Sequence, residues 1–359
     1  MQVATSPVKG KIEKNTLWTV AVSGTLLLIL AYTIYKGTHG EAVFWLVGIA
    51  FGITVQRSRF CFTSAFRDFF LLGQTRMIKG ILVGLAVCTV GFVMVMSTVS
   101  PNPGFGAPPS DANVLPVGLS TLVAGTLFGV GMVLAGGCVS GSLYRMGEGY
   151  VGSWLAIGGV MVGLFLLNNS WNWWWDNLIS SEAQIWMPAE ISYTGAIIVT
   201  TSIMAALLYL AVLRERKANA GFVMPEIKRS SEDPNPTSAV SEITGYVRNV
   251  FRKEWSPIVG GIALGVLNIL LFIRFRPLGV VGEISRWTTS ISNTLGLEEL
   301  HLKGMEGLGA CAMTVADGSW FTSGFFLNFG IVAGALASAV FAREFKLRIP
   351  QSPSGMSSR

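Results

Sequence analysis

Long apolar runs are the feature of this sequence that most constrains its fold. A helix that crosses the hydrocarbon core of a bilayer needs about 20 residues, and it must satisfy its backbone hydrogen bonds within itself. Seven runs approach that length, and Ala42–Gln56 is a shorter eighth. We therefore predict an all-α, polytopic membrane protein with about eight transmembrane helices. The seven longer runs are Leu17–Tyr35, Ile78–Ser97, Pro116–Gly136, Val151–Leu167, Ser192–Leu213, Pro257–Ile273 and Phe321–Ala342.

The charged residues are few, and they are distributed unevenly. They make up 13% of the chain, against about 25% in soluble domains. The net charge of +6 comes from basic residues in loops between apolar runs. This pattern is typical of a protein in contact with lipid, and it gives no indication of nucleic-acid binding.

The loop charges predict an orientation in the membrane. With eight crossings, the basic N-terminal tail, Arg57–Lys79, Arg214–Trp255 and the basic C-terminal tail all fall on one side. The loops Thr98–Leu115 and Asn168–Ile191, which contain no Lys or Arg, fall on the other side. The mixed-charge loop Arg274–Trp320 is the exception. The positive-inside rule then predicts an inner-membrane protein with both termini in the cytoplasm.

A polar segment with two prolines divides the chain. We predict a first membrane half over 1–213, a cytoplasmic linker over 214–255 and a second membrane half over 256–359.

The four cysteines are far apart and form no Cys-x-x-Cys pair. This spacing argues against a zinc site or a thioredoxin-like motif, and we predict neither a metal nor a cofactor. Cys88 lies in the middle of a predicted helix and is expected to be inert, as buried free cysteines commonly are. The remaining cysteines are Cys61, Cys138 and Cys311.

An internal repeat surrounds two of these cysteines. Gly48-x-x-x-Gly52 is followed nine residues later by Cys61, and Gly125-x-x-x-Gly129 is followed nine residues later by Cys138. The offset between the copies is 77 residues throughout. Such glycines are often only a helix-packing face, but internal repeats are also the usual construction of transporters, with the substrate near the repeat interface. A weaker third copy begins at Gly261-x-x-x-Gly265, with Arg274 at the position of the cysteine.

The sequence around both cysteines predicts broken helices. Ala42–Gln56 is too short to span, so we expect its helix to break inside the membrane, and Gly136 and Gly137 interrupt the second copy just before Cys138. A short re-entrant helix that restarts after a break presents free N–H groups and the positive end of its dipole. The two breaks therefore predict a shared pocket for a small anion.

The residue types at the breaks suggest which anion. Hydroxyls and amides are better donors to an oxyanion, whereas a thiol suits a soft ligand such as sulfur. An arginine follows each of the two cysteines. Arg67 lies six residues after Cys61, and Arg145 lies seven residues after Cys138. The predicted binding residues are Cys61, Cys138, Gly136, Gly137, Ser140, Arg59, Arg67 and Arg145.

Two long stretches resemble the YeeE/YedE family of sulphur-transport membrane proteins. They are Gln56-Arg-Ser-Arg-Phe-Cys-Phe-Thr-Ser-Ala-Phe-Arg-Asp68 and Phe128-Gly-Val-Gly-Met-Val-Leu-Ala-Gly-Gly-Cys-Val-Ser-Gly-Ser-Leu-Tyr-Arg145. The resemblance implies uptake of thiosulfate or a related sulfur or selenium species. It also implies that Cys61 and Cys138, on inward-pointing broken helices, contact the anion without covalent chemistry.

The second half departs from the family pattern. The segment Glu254–Pro350 resembles the start of a second family half, but the expected glycine-rich helix with a Gly-Cys-Asn motif does not follow before Arg359. We therefore expect an incomplete second half. Either a second family polypeptide supplies the missing segment or the pore is asymmetric. A TusA-like sulphur-carrier protein is a further candidate partner, beside the sulfur anion and the lipid bilayer.

Two other functions remain open at this point. A membrane thiol-redox enzyme could use Cys61 and Cys138 as an exchanging pair, although such enzymes need a reactive, accessible thiol and usually a resolving partner. A subunit that does not itself transport is the third alternative.

Overall fold

The computed structural model describes residues 39–103, 114–219, 254–275, 277–295, 302–304 and 321–349, with scattered positions between residues 22 and 32. Within these ranges the chain is almost entirely helical, as predicted. Three features discussed above lie wholly or mostly outside the described residues. They are the predicted helix Leu17–Tyr35, the linker 214–255 and Cys311.

The secondary-structure elements are labelled in chain order. A short 3₁₀ turn, Ile179–Ser181, lies between α6 and β2, and the two short strands pair antiparallel. The elements are α1 (His39–Ser58), α2 (Phe62–Leu72), α3 (Arg76–Val99), β1 (Pro116–Val117), α4 (Leu119–Ala135), α5 (Val139–Gly147), α6 (Val151–Asn177), β2 (Ala183–Gln184), α7 (Met187–Asn219), α8 (Pro257–Arg274), α9 (Val281–Thr294) and α10 (Ser323–Phe341).

Six segments of the described chain are long and apolar enough to cross a membrane, and each coincides with a predicted run. The chain is therefore a multi-pass, all-α membrane protein. The six are Arg76–Val99, Leu119–Gly147, Val151–Asn177, Met187–Arg216, Pro257–Arg274 and Ser323–Phe341. The segment Leu119–Gly147 combines α4 and α5, which Gly136–Cys138 separate.

The second predicted helix is longer in the structure than its apolar run, but it is not among the six segments that could cross a membrane. Helix α1 has 20 residues, since it begins before the apolar run, at His39, and continues beyond it through Arg57 and Ser58. The polar side chains of Gln56, Arg57 and Ser58 are buried. Gln56 and Arg57 bond Ser338 and Glu344 near the end of α10, and Ser58 donates to the carbonyl of Thr54 in its own helix, so their polarity does not end the helix. The break that follows α1 was predicted, and the structure confirms its presence at residues 59–61.

Helices α1 and α10 pack parallel through glycines. A Cβ added at Gly48 would lie 3.0 Å from the Cα of Gly330, and one added at Gly52 would lie 2.9 Å from the backbone nitrogen of Ala335. Contacts this close leave no room for a side chain, so the two backbones meet directly. Residue numbers increase in the same direction along both helices at this contact, so α1 runs parallel to α10. Helix α10 is one of the six segments that could cross a membrane.

A second glycine contact joins α3 and α8. A Cβ at Gly84 would lie 2.8 Å from the carbonyl oxygen of Gly261, and one at Gly265 would lie 3.1 Å from the carbonyl oxygen of Gly84. Helix α8 begins with Pro257 in its first turn after Ser256, a position where the missing N–H has no intrahelical partner anyway. The third copy of the glycine repeat is thus a packing face.

The ends of the helices form two faces of the protein. Arg57 at the end of α1 binds Glu344 beyond α10 at 2.7 Å, and its carbonyl accepts a hydrogen bond from Trp255 before α8. Lys79 near the start of α3 pairs with Glu215 near the end of α7. We call this side of the protein, which also holds Glu148 to Val151 and Phe345 to Ile349, the Arg57 face.

The opposite face carries the loops without basic residues. Tyr193 in α7 donates a hydrogen bond to the carbonyl of Ser100 at 2.8 Å, and Glu182 accepts one from the backbone of Ser120 at 2.7 Å. The described parts of the basic loops therefore lie together on one face, as the charge pattern predicted.

The repeat offers a matched test of this packing, because Gly52 and Gly129 are equivalent positions. A Cβ at Gly52 collides with the carbonyl of Ile331, whereas one at Gly129 meets no atom of the described residues within 4 Å. We expect Gly52→Ala to reduce the free energy of unfolding by about 1–3 kcal/mol through overpacking. Gly129→Ala should be neutral or raise it by up to about 1 kcal/mol. Thermal unfolding of the purified variants in detergent measures the difference, and equal midpoints would contradict the parallel α1–α10 contact.

Candidate functional site

The two cysteines occupy equivalent backbone positions. Each is the residue immediately before a short helix, Cys61 before α2 and Cys138 before α5, and both have extended backbone angles. Two residues earlier the chain turns through a positive φ, 50° at Arg59 and 68° at Gly136. These positions are also 77 residues apart. The predicted breaks are therefore present in both copies, with the same local geometry.

The two sulfur atoms converge on a single glycine. A Cβ added at Gly141 would lie 3.4 Å from the Cys138 Sγ and 3.9 Å from the Cys61 Sγ. Since both sulfurs lie within 4 Å of one point, their separation is below twice that distance. Cys61 is buried, Cys138 is partly buried, and both are free thiols. A side chain at Gly141 would therefore contact both sulfurs.

Arg145 connects the two breaks. Its Nη2 lies 3.9 Å from the Cys61 Sγ, and its Nη1 donates to the carbonyl of Gly136. Its Nε lies 3.4 Å from the hydroxyl oxygen of Tyr144. The guanidinium thus places a positive charge beside both cysteine-bearing breaks, in contact with the backbone that precedes Cys138.

Small polar groups complete this cluster. The Ser140 hydroxyl lies 3.3 Å from the Cys138 Sγ. Gly137 is close to the guanidinium, with its Cβ position 3.5 Å from Arg145 Nη1. The first N–H groups of α5 and α2 have no partner within their own helices and point toward the cysteine ends. Two thiols, a guanidinium, a hydroxyl and backbone donors together can bind a small, soft anion.

The other two predicted arginines lie elsewhere. Arg59 pairs with Glu254 at 3.2 Å and is 3.9 Å from Glu344, and Arg67 pairs with the adjacent Asp68 at 2.9 Å. Their side chains are 62% and 63% exposed. Of the eight predicted residues, the structure brings together Cys61, Cys138, Gly136, Gly137, Ser140 and Arg145, and it does not bring Arg59 or Arg67 to the sulfurs.

A polar cluster around the buried Gln56 side chain joins the elements that carry the two cysteines. Gln56 Nε2 donates to Glu148 Oε1 at 3.1 Å and to Glu344 Oε2 at 3.2 Å. Gln56 Oε1 accepts from Arg57 Nε at 2.6 Å and from Ser338 Oγ at 2.7 Å. We call these five residues the Gln56 network. It joins α1, which leads to Cys61, to the end of α5, which begins after Cys138.

Neither the Gln56 network nor Tyr144 was predicted from the sequence to belong to this region. A signal was present in the run Gln56-Arg57-Ser58, since three polar residues directly after an apolar helix need buried partners if they lie in a membrane protein's interior. Burial raises the pKa of the Glu148 carboxyl. The hydrogen bond from Gln56 and the positive charges of Arg59 and Arg348 oppose that increase, while Glu344 adds to it.

A second buried charge pair lies apart from the cysteines. In α9, Glu283 and Arg286 form a bidentate pair, 2.6 Å at the shorter contact. The Thr322 hydroxyl donates to the same carboxylate at 2.8 Å. Arg286 and the Thr322 hydroxyl compensate the charge of this carboxylate. The contact with Thr322 also holds α9 against the start of α10.

Cys88 lies in the middle of α3, as predicted. Its nearest polar neighbours are the carbonyl oxygen of Gly265 at 3.9 Å and the Asn268 amide at 4.0 Å. Both belong to α8, so Cys88 is part of the packing contact between these helices.

Known proteins resemble this chain over most of its length. It is 25% identical to the thiosulfate transporter TsuA of Escherichia coli (strain K12), over 84% of this chain and 76% of that protein. It is 28% identical to the thiosulfate transporter TsuA of Spirochaeta thermophila, over 86% of this chain and 80% of that protein. The probable transporter YedE of Escherichia coli is 34% identical, over 48% of this chain and 40% of that protein.

The family described as sulphur transport matches residues 57–358, a range that contains both cysteine-bearing breaks and Arg145. This match covers well over half of the chain, so the protein belongs to the sulphur transport family.

Proposed function

We propose that this protein transports thiosulfate, or a related sulfur- or selenium-containing anion, across a bacterial inner membrane. One observation supports this most strongly: the thiols of Cys61 and Cys138 converge on Gly141 beside the guanidinium of Arg145. Membership of a sulphur transport family and the names of two relatives as thiosulfate transporters agree with this assignment.

Each group at the site has a role in binding such an anion. The Arg145 guanidinium and the positive ends of α2 and α5 offset the cost of removing a negative charge from water. The thiols contact the terminal sulfur, for which a polarisable partner is better suited than a hard oxygen. Ser140 and the backbone donors serve the oxygens. Gly136, Gly137 and Gly141 leave space for the anion beside the backbone.

The proposed passage involves no covalent bond between substrate and protein. The two sulfurs are also near enough to suggest the rival function, a thiol-redox enzyme. A redox mechanism requires thiolate attack on a sulfur and a mixed-disulfide intermediate. Membership of a transport family favours non-covalent passage, and the two mechanisms respond differently when cysteine is replaced by serine.

Uptake of radiolabelled thiosulfate, in cells that lack other thiosulfate systems, tests the function directly. Cells with this chain should accumulate label and cells without it should not. Cys61→Ser and Cys138→Ser should each retain uptake at about a five- to tenfold weaker apparent affinity, since each loses one modest hydrogen bond worth about 1 kcal/mol. Cys88→Ser, outside the site, is the matched control.

Two outcomes would contradict this account. The absence of uptake above background in the unmodified protein would remove the transport function. Complete loss in both serine variants at normal membrane levels, with a trapped mixed disulfide in one of them, would establish the redox enzyme instead.

The two arginines that follow the cysteines provide a second test. Arg145→Gln removes the charge beside Cys61, and charge-assisted hydrogen bonds contribute about 1.5–3 kcal/mol. We expect its KM for thiosulfate to rise by about tenfold or more. Arg67→Gln removes an exposed charge paired with Asp68 and should change KM less than about twofold. Equal effects of the two substitutions would show that Arg145 has no special part in binding.

The charge distribution supports an orientation with the Arg57 face and both termini in the cytoplasm. In that orientation the site lies toward the cytoplasmic end of α4. A second family polypeptide, or a TusA-like sulphur-carrier protein that receives the anion on the Arg57 face, remains a candidate partner.

The orientation predicts where reporter fusions are active. A phosphatase fusion at Asn172, on the face opposite Arg57, should be active because its enzyme folds outside the cytoplasm. A fusion at Lys346, on the Arg57 face, should be inactive as a phosphatase and active as a cytoplasmic reporter. The reverse pattern, or the same pattern at both positions, would exclude this orientation.

Uptake in this direction works against the membrane potential. Thiosulfate carries two negative charges, and moving one charge across a potential of 100 mV requires about 2.3 kcal/mol. Entry into a negatively charged cytoplasm therefore needs either a steep concentration gradient or the simultaneous entry of cations.

A further inference from the structure

The entry of a dianion against the membrane potential calls for a compensating cation, and the structure suggests where it binds. This inference rests on the proposed function. Among the described residues, two buried or partly buried carboxylates lie near the cysteines, those of Glu148 and Glu344, while Glu283 lies in a separate cluster on α9. These three carboxylates differ in how their charge is compensated.

Only one of the three lacks a cation at close range. Glu283 is paired with Arg286 at 2.6 Å, and Glu344 with Arg57 at 2.7 Å. Glu148 forms no ion pair within 4 Å in the described part of the chain. Its carboxylate accepts a hydrogen bond from the neutral amide of Gln56, at 3.1 Å. Glu148 can therefore change its protonation state without breaking an ion pair.

The position of Glu148 relates it to the anion. It follows α5 directly, three residues after Arg145, whose guanidinium reaches the Cys61 sulfur. It also shares the Gln56 amide with Glu344. An anion that leaves the cysteines toward the Arg57 face would approach this pair of carboxylates, and its negative charge would be repelled unless one of them carried a proton.

We propose that Glu148 is the proton-binding site that couples anion uptake to proton entry. While the anion occupies the cysteine site, the carboxylate takes a proton that enters from the face opposite the Arg57 face, by the same path as the anion. The resulting neutral acid lets the anion pass, and the proton then dissociates into water on the Arg57 face. The proton crosses in the same direction as the anion and offsets part of its charge.

The charged groups of the described residues around Glu148 bear on this protonation. Arg145 and Tyr144 lie on its own helix, Arg57 and Arg59 at and beyond the end of α1, Glu344 beyond α10, and Arg348 and Tyr150 in the adjoining segments. Arg59 and Arg348 favour the ionised carboxylate, but they are not within ion-pair distance of it, whereas Glu344 favours the acid. Burial, the largest influence, raises the pKa of Glu148, and a nearby dianion would favour the protonated acid further.

Purified full-length protein in liposomes tests this coupling with radiolabelled thiosulfate. Two assays are needed: thiosulfate exchange at equal pH on both sides, and net uptake with and without an inward proton gradient. For the unmodified protein we expect exchange, and net uptake stimulated several-fold by the gradient. Glu148→Gln, which mimics the neutral acid, should keep exchange within about threefold and lose the stimulation. Glu254→Gln is the matched control, since Glu254 lies exposed on the same face, and it should behave as the unmodified protein.

The outcomes separate this inference from the proposed function. If the unmodified protein exchanges thiosulfate but ignores the proton gradient, or if Glu148→Gln retains the stimulation, the proton site is excluded while the transporter remains. If the unmodified protein neither exchanges nor takes up thiosulfate, the proposed function itself fails, and this inference with it.

A spectroscopic measurement keeps the test independent of the variant's transport rate. Infrared difference spectra of the unmodified protein, with and without thiosulfate near neutral pH, should show a protonated carboxyl band appear on binding. The band should be absent in Glu148→Gln and present in Glu254→Gln. The same band in Glu148→Gln, or none in the unmodified protein, would overturn the assignment.

Discussion

Helices α1 and α10 approach so closely at Gly48 and Gly52 that their backbones are in direct contact. This contact fixes the positions of both cysteine-bearing breaks. At the end of α1, Gln56 and Arg57 reach Ser338 and Glu344 at the end of α10. The same Gln56 amide binds Glu148, which directly follows α5. Cys61 is thus fixed relative to α10, and Cys138 is fixed through α5, which also packs directly on α10, where a Cβ at Gly147 would lie 2.9 Å from the Cβ of Ala335.

The two copies of the repeat share the same break, but their glycines pack differently. The breaks are equivalent, since positive φ angles recur at Arg59 and Gly136 and both cysteines precede a short helix. The glycine faces are not equivalent: that of Gly52 is filled by α10, whereas that of Gly129 has no neighbour within 4 Å among the described residues. The repeat therefore preserves the site, and the surrounding packing differs between the copies.

Much of the architecture was predictable because it depends on local pattern. Apolar length identified the six spans, and the offset of 77 residues identified the repeat. The short run Ala42–Gln56 and the glycines Gly136 and Gly137 indicated the two breaks. The assignment of arginines to the site could not be made from proximity in sequence. With this offset Arg67 corresponds to Tyr144 and Asp68 to Arg145, and one residue rotates a helical side chain by about 100°. Arg67 consequently faces solvent while Arg145 faces Cys61. The Gln56 network joins residues 92 and 288 positions apart, and a polar run alone does not specify its partners.

The central claim is that Cys61 and Cys138 share one anion site beside Arg145. The most direct measurement is a structure of the protein with selenosulfate, in which anomalous scattering locates the selenium atom. The account predicts one selenium peak between the two sulfur atoms, in van der Waals contact with both at about 4 Å and without a covalent bond to either. A peak away from both cysteines, or one at bonding distance from a single sulfur, would contradict it.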